Sequence, residues 1–171
     1  MKYLITIFLL VLMPTGVWAE FMTPDGLTIE DTEYRKSVEN FGAQLVITNK
    51  DDITLENGNA PSEGIYLPTT YKVQKGQLIT ALIAFKGCAQ NQNGNCELTY
   101  KLKVLQPDGI VFADLPSDKP APEKDYFGLN VGYVRLVVKP NNQTGTYKFV
   151  ADVQDHVSGK NLSLTNSVVV Y

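Results

Sequence analysis

Histidine is almost missing from this chain of 171 residues: His156 is alone, and Cys88 and Cys96 are the only cysteines. Two thiolates and one imidazole roughly 60 residues away leave a zinc ligand set incomplete, so no metal is expected. No Gly-x-Ser-x-Gly elbow, His-Glu-x-x-His helix or phosphate-cradling glycine loop occurs, so the sequence implies no cofactor and no enzyme. Blocks of one charge are missing too: 15 Lys+Arg stand against 18 Asp+Glu, a formal net charge of −3, with the signs interspersed. That distribution offers nucleic acid no electrostatic footprint. Segments of helical period and useful length are also lacking, which turns attention to strands.

What the chain does have begins at its N-terminus. Lys2 supplies a positive charge, Ile5 to Met13 form an apolar run, and Val17-Trp18-Ala19 has the small-residue spacing of a cleavage site. This reads as a signal peptide over residues 1–19, cut between Ala19 and Glu20, with an apolar core too short for a membrane span. No cysteine near Ala19 accepts a lipid and no second apolar stretch approaches spanning length. The processed chain is therefore expected to be soluble, not membrane-embedded. It retains about 150 residues, enough for one core.

Export makes a Cys88–Cys96 disulfide the default expectation. The ring Cys88-Ala-Gln-Asn-Gln-Asn-Gly-Asn-Cys96 is a polar, turn-forming stretch between apolar runs and reads as a hairpin tip. After it, Leu98, Tyr100, Leu102 and Val104 alternate with Glu97, Thr99, Lys101 and Lys103, the pattern of a half-buried strand. Before it, Leu78 to Phe85 is apolar on both faces, as in a central strand. Thr69–Val73, Gln44–Thr48, Val131–Val138, Tyr147–Gln154 and Leu162–Val170 supply further strands, with turns at Pro107-Asp108-Gly109, Pro140 to Gly145 and Ser158-Gly159. Short strands punctuated by turns predict an all-β protein: an immunoglobulin-like antiparallel β-sandwich of about seven strands over residues 41–171.

Two regions depart from the pattern. Residues 20–40 read as an N-terminal arm or short helix, because Tyr34, Val38 and Phe41 fall on one helical stripe. Leu115 to Gly128 contains Pro116, Pro120 and Pro122 and ends in Tyr126-Phe127. It reads as a surface loop, with Leu115, Tyr126 and Phe127 as the candidate binding residues.

Phe41-Gly-Ala-Gln-Leu-Val-Ile-Thr48, Lys86-Gly-Cys88, Gln106-Pro-Asp-Gly109 and Gly145-Thr-Tyr-Lys-Phe-Val-Ala-Asp-Val-Gln-Asp155 occur together. In this combination the chain resembles a family of small exported proteins of Gram-negative bacteria that carry no assigned activity. The resemblance implies a periplasmic, or alternatively secreted, domain with an immunoglobulin-like or macroglobulin-like sandwich. Fold alone does not give function.

The expected function is a non-catalytic interaction or accessory module of the cell envelope, engaging another envelope protein through a sheet edge or the Leu115 to Gly128 loop. A pilus-related subunit or chaperone is the alternative, although the short ring does not resemble a fimbrial disulfide. A hydrolase centred on His156 with Asp155 and Ser158 ranks lower, since adjacent turn residues seldom meet in triad geometry. Asp51, Asp52 and Glu56 lack the spacing of a calcium loop. Asn142-Gln-Thr144 and Asn161-Leu-Ser163 match the glycosylation acceptor pattern, which has meaning only in a eukaryotic host. A membrane barrel is disfavoured by strands apolar on both faces.

Overall fold

The computed structural model describes residues 21–22, 27–49, 69–117, 132–138 and 143–171. The expected signal peptide over residues 1–19, Asp51, Asp52, Glu56, Tyr126, Phe127 and Asn142 lie outside the described residues. Within them the chain forms strands and no helix: β1 (Phe21–Met22), β2 (Thr28–Ile29), β3 (Arg35–Val38), β4 (Phe41–Thr48), β5 (Lys72–Val73) and β6 (Ile79–Lys86), then β7 (Leu98–Leu105), β8 (Val111–Ser117), β9 (Gly132–Val138), β10 (Gly145–Asp155) and β11 (Lys160–Val170).

Alternation at period two decides which side chains meet. In β10, Tyr147, Phe149, Ala151 and Val153 are buried while Thr146, Lys148, Asp152 and Gln154 are exposed. In β7, Leu98, Leu102 and Val104 turn the same way. Facing them are Phe41, Ala43, Leu45 and Ile47 of β4 and Ile79, Ala81, Ile83 and Phe85 of β6. Each large side chain buried there contributes roughly 1.5–3 kcal/mol of transfer free energy. The doubly apolar reading of the run holds within β6, where Leu82 and its register partner Val46 stand on the opposite face and are buried as well and Ala84 is half-buried, but Leu78 precedes the strand and is exposed.

The strands form a five-stranded sheet ordered β5-β11-β10-β7-β8 and a four-stranded sheet ordered β3-β4-β6-β9, beside the small β1-β2 pair. Pairings are antiparallel except β11 with β5, which is parallel at Val169–Lys72 and Val170–Val73. In immunoglobulin terms β4, β6 and β9 occupy the A, B and E places, and β7, β8, β10 and β11 the C, C′, F and G places. Strand β5 continues the first strand after the chain has switched sheets. Among the described residues the two sheets hold nine strands: the seven in these framework places and, in addition to the about seven expected, β3 and β5.

Three expectations need correction. Thr28 to Phe41 forms no helix; β3 pairs with β4 from Arg35–Gln44 to Val38–Phe41, because sheet pairing outweighs a weak helical stripe. The Cys88 to Cys96 segment is not the tip of a hairpin between its flanking strands, since β6 and β7 belong to different sheets. It is the crossover between layers, with its own small turn closed by the Gln90–Cys96 bridge. Leu115 does not open a loop. It lies in β8, half-buried and packed against the core, opposite Leu102.

The β7–β8 turn forms as its residues dictate. Gly109 N–H donates to Gln106 O at 2.9 Å, Gln106 N–H to Ile110 O at 2.8 Å, and Gly109 takes φ +84. This is a three-residue hairpin loop with glycine at the left-handed position.

Candidate functional site

The sequence-derived candidates resolve into a ring-and-turn cluster at one end of the sandwich and the edge strands, of which β8 and β9 end their sheets on one side and β3 and β5 on the other. Cys88 and Cys96 are joined, with Cα atoms 5.8 Å apart. A closed bridge of this kind belongs to an oxidising, non-cytoplasmic compartment. Among the described residues no helix is long and apolar enough to cross a membrane.

Asp155, the last residue of β10, ties this ring to the β10–β11 turn. Its carboxylate is fully buried, and Oδ2 accepts from Ala89 N at 2.8 Å and from Ser158 Oγ at 2.7 Å. Oδ1 accepts from Val157 N at 3.0 Å and Ser158 N at 3.4 Å. A buried carboxylate is tolerated only when donors replace its water, and here they do. The neighbouring His156 N–H donates to Glu97 O at 2.8 Å, and its Nε2 is 2.8 Å from Thr99 Oγ1.

These bonds pull the candidate triad residues apart chemically. The Ser158 hydroxyl donates to Asp155, whereas a nucleophile would donate to the imidazole, and the His156 ring pairs with Thr99 instead. A shallow depression of about 360 Å³ lined by Asn91, Glu97, Thr99 and His156 lies alongside. Asn91 Nδ2 donates to Glu97 Oε1 at 2.7 Å and Asn91 Oδ1 accepts from Asn93 N and Asn95 N, so Asn91 is used inside the ring. Among the described residues no group of three or more His, Cys, Asp or Glu could hold a metal ion.

At the start of β10, Tyr147 is fully buried and its hydroxyl donates to Gln143 O at 3.2 Å, four residues upstream. That is the tyrosine corner of immunoglobulin-like sandwiches. Burial pushes the Tyr147 phenol above its ordinary value of 10.0, and the Asp108 carboxylate adds to the shift. The Gly-x-Tyr spelling at 145–147 could have signalled this corner; Asp155 had no such signal, because its partner Ala89 is 66 residues away.

The edges follow from hydrogen-bond parity. Leu45 N–H donates to Tyr34 O at 2.7 Å, away from β6, so alternate residues Gln44, Val46 and Thr48 face β6. Their partners Ala84, Leu82 and Thr80 face β4, leaving Ile79, Ala81, Ile83 and Phe85 to bond β9 at Val138, Leu136, Val134 and Gly132. The main-chain groups of Tyr133, Arg135 and Val137 therefore point away from the sheet, and among the described residues no strand lies beyond them.

The other edge is different. Thr165 N–H donates to Glu33 O and Val169 N–H to Tyr71 O, both away from β10. Carrying the alternation through β10 and β7, Leu102 and Tyr100 bond β8 at Leu115 and Ser117, so Asp114 and Pro116 turn outward. Proline has no N–H to offer there, and Asp114 is 3.8 Å from Lys101 Nζ. A proline and a charge are the devices that keep an edge from pairing. Strand β8 carries a proline at an outward position, and the outward positions of β9 (Tyr133, Arg135 and Val137) carry none.

No family model and no curated protein matches the chain. Among solved structures it is similar to the CARDB domain of a Pyrococcus furiosus protein in complex with di-metal ions, at 15% identity and TM-score 0.40, covering 84% of this chain and 100% of that one. A superoxide reductase (neelaredoxin) from Ignicoccus hospitalis matches at 9% identity and TM-score 0.37, over 59% of this chain and 75% of that one. A Niemann-Pick type C2 protein from the Japanese carpenter ant matches at 8% and 0.39, over 75% and 89%. What makes the present domain immunoglobulin-like is its own strand order and its tyrosine corner.

Proposed function

We propose that this protein is a non-catalytic interaction module of the bacterial periplasm that engages another envelope protein by strand addition at β9. The observation that carries the reading is the difference between β8 and β9: Pro116 removes an outward donor from β8, while Tyr133, Arg135 and Val137 turn main-chain donors and acceptors outward on β9. Strand addition gains affinity from such groups and specificity from alternate side chains. The leader and the Cys88–Cys96 bridge support an exported location.

Photo-crosslinking residues placed at Tyr133 and at Asp114 in the full chain test this in cells. Adducts to another protein are expected from β9 and not from β8. Arg135→Pro, which removes an outward N–H without touching the β6 ladder, abolishes them while the melting curve is kept. Equal adducts from both edges, or adducts that persist in Arg135→Pro, overturn the proposal.

A further inference from the structure

We infer that Asn93-Gly94 is a self-modifying site, at which the Gly94 amide nitrogen converts the Asn93 carboxamide to a carboxylate, and that Asn91 is the residue holding this reaction back. Both residues of the pair are exposed and lie inside the Cys88 to Cys96 ring. A main-chain nitrogen reaches the preceding side-chain carbonyl most readily when it belongs to glycine, which puts no Cβ in the path of attack. Gly94 takes φ +80, and even an added Cβ would meet nothing within 4 Å, so the surroundings leave the approach open.

The step balances with water as its co-reactant. Gly94 N loses its proton and bonds to Asn93 Cγ; the Cγ–Nδ2 bond breaks, and ammonia leaves carrying that proton. Water then opens the cyclic imide at either carbonyl, giving aspartate or isoaspartate in place of Asn93. Nothing is oxidised or reduced. Either product adds a negative charge close to Asn91 and Asn95, which line the depression shared with Glu97 and His156.

Hydrogen bonds centred on Asn91 oppose the attack. Gly94 N–H, the group that must lose its proton, donates to Asn91 O at 2.9 Å, and Asn91 N–H donates to Asn95 O at 2.8 Å. Asn91 Oδ1 accepts from Asn93 N at 2.9 Å and from Asn95 N at 3.1 Å, while its Nδ2 is anchored on Glu97 Oε1 at 2.7 Å. These bonds restrain the torsion between Asn93 and Gly94, which must turn before nitrogen and carbon come within the roughly 3–3.5 Å that reaction needs. The disulfide and the Gln90–Cys96 bridge close the ring around this turn.

The test incubates the protein produced from the full chain in mildly alkaline buffer and maps its peptides by mass spectrometry, which separates Asn93 from the second Asn-Gly pair, Asn57-Gly58. A gain of about one dalton at Asn93 is expected, at least roughly ten-fold slower than in the same chain unfolded in urea and reduced. Asn91→Ala raises the native rate roughly two- to ten-fold. Combining Asn91→Asp with Glu97→Gln reverses the side-chain bond between them, keeps the acceptor for Asn93 N and Asn95 N, and returns the rate to that of wild type. Equal rates in the native and unfolded chains, or an Asn91→Ala protein that keeps both its melting curve and its native rate, overturn the restraint. Should Asn91→Ala fail to fold, hydrogen exchange at Gly94 in the unaltered protein decides: protection supports the restraint, and exchange at the rate of an open amide overturns it. No conversion of Asn93 even in urea overturns the site.

Discussion

Replacing Asp155 by Ala removes the acceptor of two short hydrogen bonds, from Ala89 N at 2.8 Å and Ser158 Oγ at 2.7 Å, and of two longer ones from the turn backbone. Val157 is 38% exposed, so water replaces the carboxylate at the turn amides. The half-buried Ala89 N–H is less readily satisfied. Hydrogen bonds to a charged group contribute roughly 1.5–3 kcal/mol each, and counting the two short ones gives a loss of about 3–6 kcal/mol. Against a typical stability of about 5–15 kcal/mol this is a large fraction, and it lowers the melting temperature by roughly 10 °C. Urea unfolding followed by circular dichroism measures it. Because Ala89 adjoins Cys88, the effect must couple to the disulfide. A double-mutant cycle of Asp155→Ala with the Cys88→Ser/Cys96→Ser pair is expected to be non-additive by more than about 0.5 kcal/mol. An Asp155→Ala protein within about 1 kcal/mol of wild type refutes the clamp, and strict additivity refutes its link to the ring.

Opening the ring alone, by Cys88→Ser/Cys96→Ser, is expected to cost roughly 2–3 kcal/mol on the chain-entropy model for so short a loop, read as a reductant-sensitive melting temperature in wild type only. Gly145 has φ +126, and a Cβ there would lie 2.8 Å from Pro107 Cβ and Cγ, so Gly145→Ala should lose about 1–3 kcal/mol; a neutral result means the β7–β8 turn moves freely. The raised Tyr147 phenol makes the folded state hold its proton more tightly than the unfolded chain. Its contribution is complete below pH 10, is lost as pH rises through the higher folded value, and Tyr147→Phe should flatten that alkaline loss in a pH series of melts.

The alternating residues of β7, β10 and β11 made their faces readable without coordinates, since one face of each strand must be apolar to bury against the opposite sheet. The turn at Pro107-Asp108-Gly109 was equally legible, because proline and glycine each admit few backbone conformations. Residues 28–38 were not: a four-residue strand has too few alternations to compete with a helical stripe, and only pairing with β4 settles it. The candidate site was the least readable part. Leu115 looked like the mouth of a loop because of Pro116, yet proline is tolerated in β8 since its missing N–H falls on the outer edge.

The cysteines show where the division falls. Their number and the leader expected over residues 1–19 were enough to expect a bridge, because oxidation depends on compartment and proximity in the chain. Whether the ring caps one hairpin or joins two layers depends on which sheets β6 and β7 enter. Both strands are apolar inward, so nothing local distinguishes the two outcomes. The same holds for the edges: strand identity was written in the residues, but which strand ends a sheet, and which way its main-chain groups then point, was decided only by pairing across the whole fold.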